Sequence, residues 1–187
     1  MAVVSGPLSD LVLAALVALH PGPGGTDASR REAADAIAQA AADQPLWPVA
    51  AEAAEGSPEV AATALMLAAI AQHESALDPA VGSCKRPGMG GAITYFQLMP
   101  GFSFDGHEKK DICASTPLAA RLALRVLRVH KKRCKNCPPS RWLNAYASGN
   151  PGRGSRASRE TMELWVKLSD HARLRVFPLA TTAPAWR

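Results

Sequence analysis

The chain has 187 residues, of which 48% are hydrophobic, 20% charged and 5% aromatic. That length suits one domain, or one domain with an appended arm, and the composition excludes a collagen-like or disordered chain. The formal net charge of +5 is unevenly spread: residues 1–83 hold ten acidic residues against Arg30 and Arg31, a net of −8, while residues 84–187 carry nineteen basic and six acidic residues, a net of +13. A basic half is either a solvated face or a surface for an anionic partner, such as nucleic acid, an anionic membrane or an acidic cell-wall polymer, and charge alone does not choose among them.

The first apolar run, Leu11 to Leu19, is shorter than the roughly 18 residues needed to cross a bilayer. It follows Asp10 with no basic residue before it, so it reads as a short amphipathic or buried helix and leaves export by a signal peptide undecided. His20 to Thr26, rich in proline and glycine, is a linker. Asp27 to Asp43 is alanine-rich and predicts a helix. Pro45 and Pro48 interrupt it, with Leu46-Trp47 as a local apolar anchor. Ser57-Pro58-Glu59 predicts a helix start, with a serine cap, proline in the first turn and an acid near the positive end. That helix should stop before Asp78-Pro79, because a residue preceding proline avoids α geometry.

Residues 78–115 are glycine-rich and read as loops, with a short strand expected at Ile93-Thr94-Tyr95-Phe96. Thr116-Pro117 opens a further helix with an apolar face through Leu118, Leu122 and Val129, and with Arg121, Arg125 and Arg128 on one side. Cys134 to Pro139 ends it. Ser140 to Tyr146 is a short helix or turn, a last helix runs from near Ser155 or Ser158 to about Leu174, and the tail from Pro178 is irregular.

Four cysteines, Cys84, Cys113, Cys134 and Cys137, all lie in the basic half. An even number fits two disulfides in an oxidising compartment; the favoured pairing is Cys134–Cys137 with Cys84–Cys113. A zinc site competes, because Cys134-Lys-Asn-Cys137 has ligand spacing, but a second close pair is missing. No metal ligand set and no cofactor is expected. His107 and His130 have no partner at ligand spacing, and Asn150-Pro-Gly-Arg-Gly lacks the end of a phosphate loop.

Glu74 is the most informative side chain. It sits at the C-terminal end of an apolar helix, where the negative end of the dipole and the apolar surround both disfavour its ionised form. A carboxyl held protonated near neutral pH is what a general acid requires. An ordinary solvated glutamate in a last helical turn is the competing reading.

Four pieces in order then carry a resemblance: Glu74-Ser75; Asp78-Pro79; Gly91-Ala92-Ile93-Thr94-Tyr95-Phe96-Gln97-Leu98-Met99-Pro100; and Asn144-Ala145-Tyr146-Ala147-Ser148-Gly149. Together they resemble the soluble lytic transglycosylase domain of the lysozyme-like superfamily over about residues 60–172. The resemblance implies a mainly α fold of the lysozyme-like α+β kind, a helical lobe with a small β-hairpin or glycine-rich loop region beside a catalytic cleft. It divides the chain into an alanine-rich helical extension (1–55), the transglycosylase domain (56–176) and an irregular tail (177–187). It implies cleavage of the β-1,4 bond between N-acetylmuramic acid and N-acetylglucosamine in peptidoglycan, with 1,6-anhydro products. Glu74 would be the single acid/base, Ser75 would orient it or the substrate acetamido group, Gln97 and Met99 would line the cleft, Tyr146 would bond near Glu74, and Asn144 would shape its segment.

The glycan strand is then the expected partner, in the cell wall, periplasm or extracellular space, with a phage lysin or virion enzyme as one form; no nucleic-acid partner and no transmembrane segment are expected. One departure stands out. Thr94 occupies a position where the family has glycine, and a β-branched residue does not readily take glycine's backbone angles, so a reshaped groove is expected there, with Tyr95-Phe96 as a more aromatic wall. The alternative function is a basic wall- or nucleic-acid-binding protein on an inactive lysozyme-like fold, using Arg121, Arg125, Arg128, Lys131, Lys132 and Arg133.

Overall fold

A computed structural model describes residues 6–19, 25–47, 57–134, 137–151 and 154–172. These residues form a mainly helical protein: α1 (Pro7–Leu19), α2 (Asp27–Asp43), α3 (Pro58–Ser75), α4 (Pro79–Gly82), α5 (Lys109–Cys113), α6 (Thr116–Arg133), α7 (Pro139–Ser148) and α8 (Arg156–His171). Short 3-10 turns cover Met89–Gly91 and Phe102–Phe104.

The central element is α3. The Ser57 hydroxyl accepts from the Val60 amide, satisfying one of the first-turn donors, and Pro58 follows in the first turn. Every residue from Val60 to Ala71 is buried, as a helix apolar on all sides requires. Its many alanines allow α1, α2, α6 and α8 to surround it. The serine caps at Ser115 and Ser155 start α6 and α8 in the same way.

The two N-terminal helices share this core. Val12, Ala15 and Leu16 of α1 and Ala33, Ala34 and Ile37 of α2 are continuous with Leu65, Ile70, Leu124 and Trp165. Ser9 bonds to Asp35, and Arg31 pairs with Asp10 at 2.7 Å, holding α1 on α2. Leu46-Trp47 is the expected anchor: the Trp47 ring stacks on Trp165 at 5.7 Å, and the Trp165 indole N–H donates to the Ala62 carbonyl at 3.1 Å.

Between α3 and α6 the expected strand is not formed. Only one bridge occurs, with Ile93 and Leu98 exchanging N–H···O bonds of 3.0 and 2.8 Å. Thr94 to Gln97 is the turn inside it, because Thr94 and Gln97 both take positive φ (66° and 49°) and cannot continue an extended ladder. Among the described residues there is no strand. Cys84 lies within disulfide distance of Cys113, and Cys134 of Cys137, with Cα separations of 5.6 and 5.5 Å. The first pair ties the loop after α4 to the end of α5. No helix among the described residues is long and apolar enough to cross a membrane. Residues 20–24 of the expected linker and the tail from Pro178 lie outside the described residues.

Candidate active site

Glu74 is the penultimate residue of α3 and is largely enclosed. Burial holds its carboxyl above the ordinary carboxylate range. Its neighbour is Tyr146 on α7. Burial, and then the Glu74 charge, push the Tyr146 phenol well above its usual value. The Tyr146 hydroxyl donates to the Phe96 carbonyl at 2.7 Å, which joins α7 to the 93–98 turn and leaves the phenol oxygen free to accept.

Two residues carried by the motif face the outside of that turn. Met99 is 47% exposed. Gln97 is half-buried; its side-chain amide donates to the Thr94 carbonyl at 3.1 Å, and its own backbone N–H reaches the same oxygen at 3.2 Å. The Gln97 amide lies over Gly88, where a Cβ would fall 1.5 Å from Oε1, so a side chain at 88 would push the Gln97 amide aside. Thr94 takes the conformation that the sequence argued against. It sits at φ 66° with 2% exposure, so the turn keeps a glycine-like backbone and carries a β-branched side chain in it.

Ser75 and Asn144 do other work. The Ser75 hydroxyl donates to the Ala71 carbonyl at 2.7 Å and accepts from the Leu77 amide at 3.2 Å. Both its directions are used in closing the helix. Asn144 does not line a cleft. It is 2% exposed and its side-chain oxygen accepts from the Ser158 hydroxyl, pinning α7 to α8. His73, on another face of α3 from the core, lies 3.9 Å from Glu160 of α8, a structural position.

The basic stripe of α6 is largely engaged within the chain. Arg125 pairs with Asp105 at 2.5 Å and donates to the Phe102 carbonyl at 3.2 Å. Arg128 donates to Gln44 at 2.8 Å. Lys131 bonds to the Leu46 carbonyl and lies 5.2 Å from the Trp142 ring centroid, and burial, then Arg128, lowers its pKa. The aromatic groove wall expected from Tyr95-Phe96 at the Thr94 departure is not formed, because both rings are buried; Phe96 contributes instead a backbone carbonyl that no side-chain pattern reveals. Sequence reasoning missed Phe102, 47% exposed with Arg125 and Arg133 beside its ring. Among the described residues no group of three His, Cys, Asp or Glu side chains is placed to hold a metal ion.

Comparison with family models, with curated proteins and with solved structures found no match. The likeness to lytic transglycosylases therefore rests on the motif residues themselves.

Proposed function

We propose that the chain is a peptidoglycan lytic transglycosylase of lysozyme-like fold, cleaving the muramic acid–glucosamine bond with Glu74 as its only acid/base. The observation that carries the reading is Glu74 itself: a carboxyl raised by burial at the end of α3, next to Tyr146 of the Asn144–Gly149 motif segment. Glycosidases that hydrolyse by the usual routes need two carboxylates, about 5–9.5 Å apart. A lone acid fits a reaction in which the substrate supplies the second group.

In that reaction the Glu74 carboxyl gives its proton to the glycosidic oxygen as the C1–O bond breaks. The acetamido oxygen of the muramic sugar supports the charge at C1. Glu74, now a carboxylate, takes the proton of the C6 hydroxyl while O6 bonds to C1, closing the 1,6-anhydro ring and restoring the acid. The Tyr146 oxygen is available to accept from the protonated carboxyl and hold it in place. Gln97 and Met99 form one wall of the glycan cleft. The enzyme would act in the wall compartment, free or carried by a virion.

Digestion of purified peptidoglycan, with mass spectrometry of the product ends, tests this. Anhydro ends from the wild type, and a loss of about 10²–10⁴ in rate for Glu74→Gln, are expected. Reducing ends would make the chain a hydrolase, and full activity in Glu74→Gln would remove Glu74 from the mechanism. Binding without turnover through the α6 stripe is the weaker reading, because Arg125, Arg128 and Lys131 are already held by Asp105, Gln44 and Leu46.

A further inference from the structure

A concave site lies around the end of α4, with Tyr95 of the 93–98 turn in its lining. Its volume is about 500 Å³, and Glu32 of α2, Gly82 and Lys85 around the end of α4, Tyr95, Cys113 and Thr116 are among its walls. That volume falls within the roughly 300–1,000 Å³ of small-molecule sites. Glu74, Gln97 and Tyr146 do not line it.

Its polar groups are arranged unequally. The Thr116 hydroxyl donates to Glu32, so the carboxylate is held in one place. The Tyr95 side chain is buried, and its ring packs so closely on Gly82 that a Cβ there would fall 2.2 Å from Cζ. Burial, and then the charge of Glu32, push the Tyr95 phenol up to about 12, so it remains a neutral donor beside the carboxylate. Lys85 is exposed and has no ion-pair partner among the described residues, whereas its neighbour Arg86 is paired with Asp78 at 2.7 Å. A fixed anion and an unpaired cation thus share one cavity, with Pro79, Ala80, Cys113 and Ala114 as its less polar wall.

We propose that this cavity binds a zwitterionic amino-acid group, its ammonium received by Glu32 and its carboxylate by Lys85, and that the occupant is a diamino acid of the glycan strand's stem peptide, whose distal amine and carboxylate stay free although the peptide's first amine is bound to the sugar. Naming the stem peptide rests on the glycan-cleavage reading above; the charge complementarity does not. Opposite charges matched across one site give orientation as well as affinity.

Titration calorimetry with the full chain tests the site, using a soluble muramyl stem peptide, whose first amine stays acylated as on the strand, the same peptide with its distal amine acetylated, and glycine. The wild type should bind the free peptide, and Glu32→Gln, Lys85→Met and acetylation should each weaken binding by about tenfold. Both side chains are exposed, so both variants should fold, which circular dichroism would verify. Unchanged affinity in both variants, or no binding to the wild type, overturns the proposal. Glycine bound as tightly as the peptide assigns the cavity to free amino acids and overturns the stem-peptide assignment. A second readout separates the two readings. Wild type should cut peptide-bearing strands faster than stripped strands, and Lys85→Met should lose that preference while still cutting stripped strands. Peptide binding with no cleavage of either strand would sink the glycan-cleavage reading and leave the peptide site standing. Cleavage with no peptide binding would do the reverse.

Discussion

Thr94 offers a measurement of strain at the edge of the candidate cleft. A left-handed backbone costs an ordinary L-residue roughly 1–2 kcal/mol, and Thr94 adopts it at φ 66° while almost fully buried. Two variants isolate that cost. Thr94→Ala and Thr94→Gly both lose the hydroxyl that receives the Phe96 amide at 3.4 Å, together with the same buried methyl, so those losses cancel in the comparison. In ordinary backbone geometry the glycine variant would be the less stable by about 0.5–1 kcal/mol, from chain entropy. Here the Cβ clash relieved by glycine exceeds that entropy, and Thr94→Gly should be the more stable by about 0.5–1 kcal/mol. Urea unfolding at neutral pH reads the difference as a higher midpoint at equal slope. The Thr94 carbonyl can still accept both Gln97 donors in either variant, so, if the chain cleaves peptidoglycan as proposed, Thr94→Gly should retain that activity. An alanine variant as stable as the glycine variant, or more so, would refute the reasoning: the strain at 94 would then not exceed the chain entropy and buried Cβ that glycine gives up.

The buried Glu74 makes stability depend on pH with a definite sign. Its folded pKa is raised, so the carboxyl's contribution is fully present below the unfolded value and is lost as pH rises through the folded one. Glu74→Gln should therefore match the wild type in acid and exceed it at neutral pH, by about 1.4 kcal/mol for every tenfold by which folding weakens the acid; unfolding midpoints at several pH values check this, and parallel pH profiles would count against it. Asn144→Ala should lower stability by about 1 kcal/mol, because the buried bond pinning α7 to α8 is lost while the Ser158 hydroxyl still donates to the Ser155 carbonyl, and, if the chain cleaves glycan as proposed, should leave KM for glycan strands unchanged; a selective rise in KM would place Asn144 in the cleft after all. Replacing Cys84 and Cys113 together by serine opens a crosslink spanning 29 residues and should cost about 3–4 kcal/mol by chain entropy, seen as a lower midpoint in the variant and in reduced wild type alike.

The helices were legible wherever a cap and an apolar period agreed. Ser57-Pro58 starts α3 as expected, Asp27 to Asp43 is α2 end to end, and Ser155 caps α8. Both expected cysteine pairs lie at disulfide distance. The strand at 93–96 failed because β propensity describes side chains on a pleat, whereas the backbone here turns at Thr94 and Gln97. The arginine face of α6 was visible as a period but not as a set of partners: Gln44 and Leu46 arrive from 84 and 85 residues away, and nothing local announces them. Glu74 was legible because helix end and apolar surround are both local. Its neighbour Tyr146 was placed only by the motif, and the Phe96 carbonyl that orients that phenol carries no signal in residue type.

The part of the chain with no recognisable motif supports the part that has one. Immediately after Glu74 and Ser75 the backbone takes two consecutive left-handed residues, Ala76 at φ 50° and Leu77 at φ 57°, neither of them glycine. Each costs energy that local sequence does not return, so the turn must be held from outside. Ser75 supplies one bond, to the Leu77 amide. The other comes from α2: the buried Ser29 hydroxyl donates to the Leu77 carbonyl at 3.0 Å. Thus both backbone polar groups of Leu77 are satisfied, one by the motif and one by the alanine-rich helix preceding it. The same helix holds Glu32 against Thr116, beside Tyr95. Residues that the motif resemblance set apart as an extension thus support the turn that ends the Glu74 helix and form a wall of the neighbouring cavity. The acidic half of the chain therefore contributes to the site through α2 as well as through Glu74.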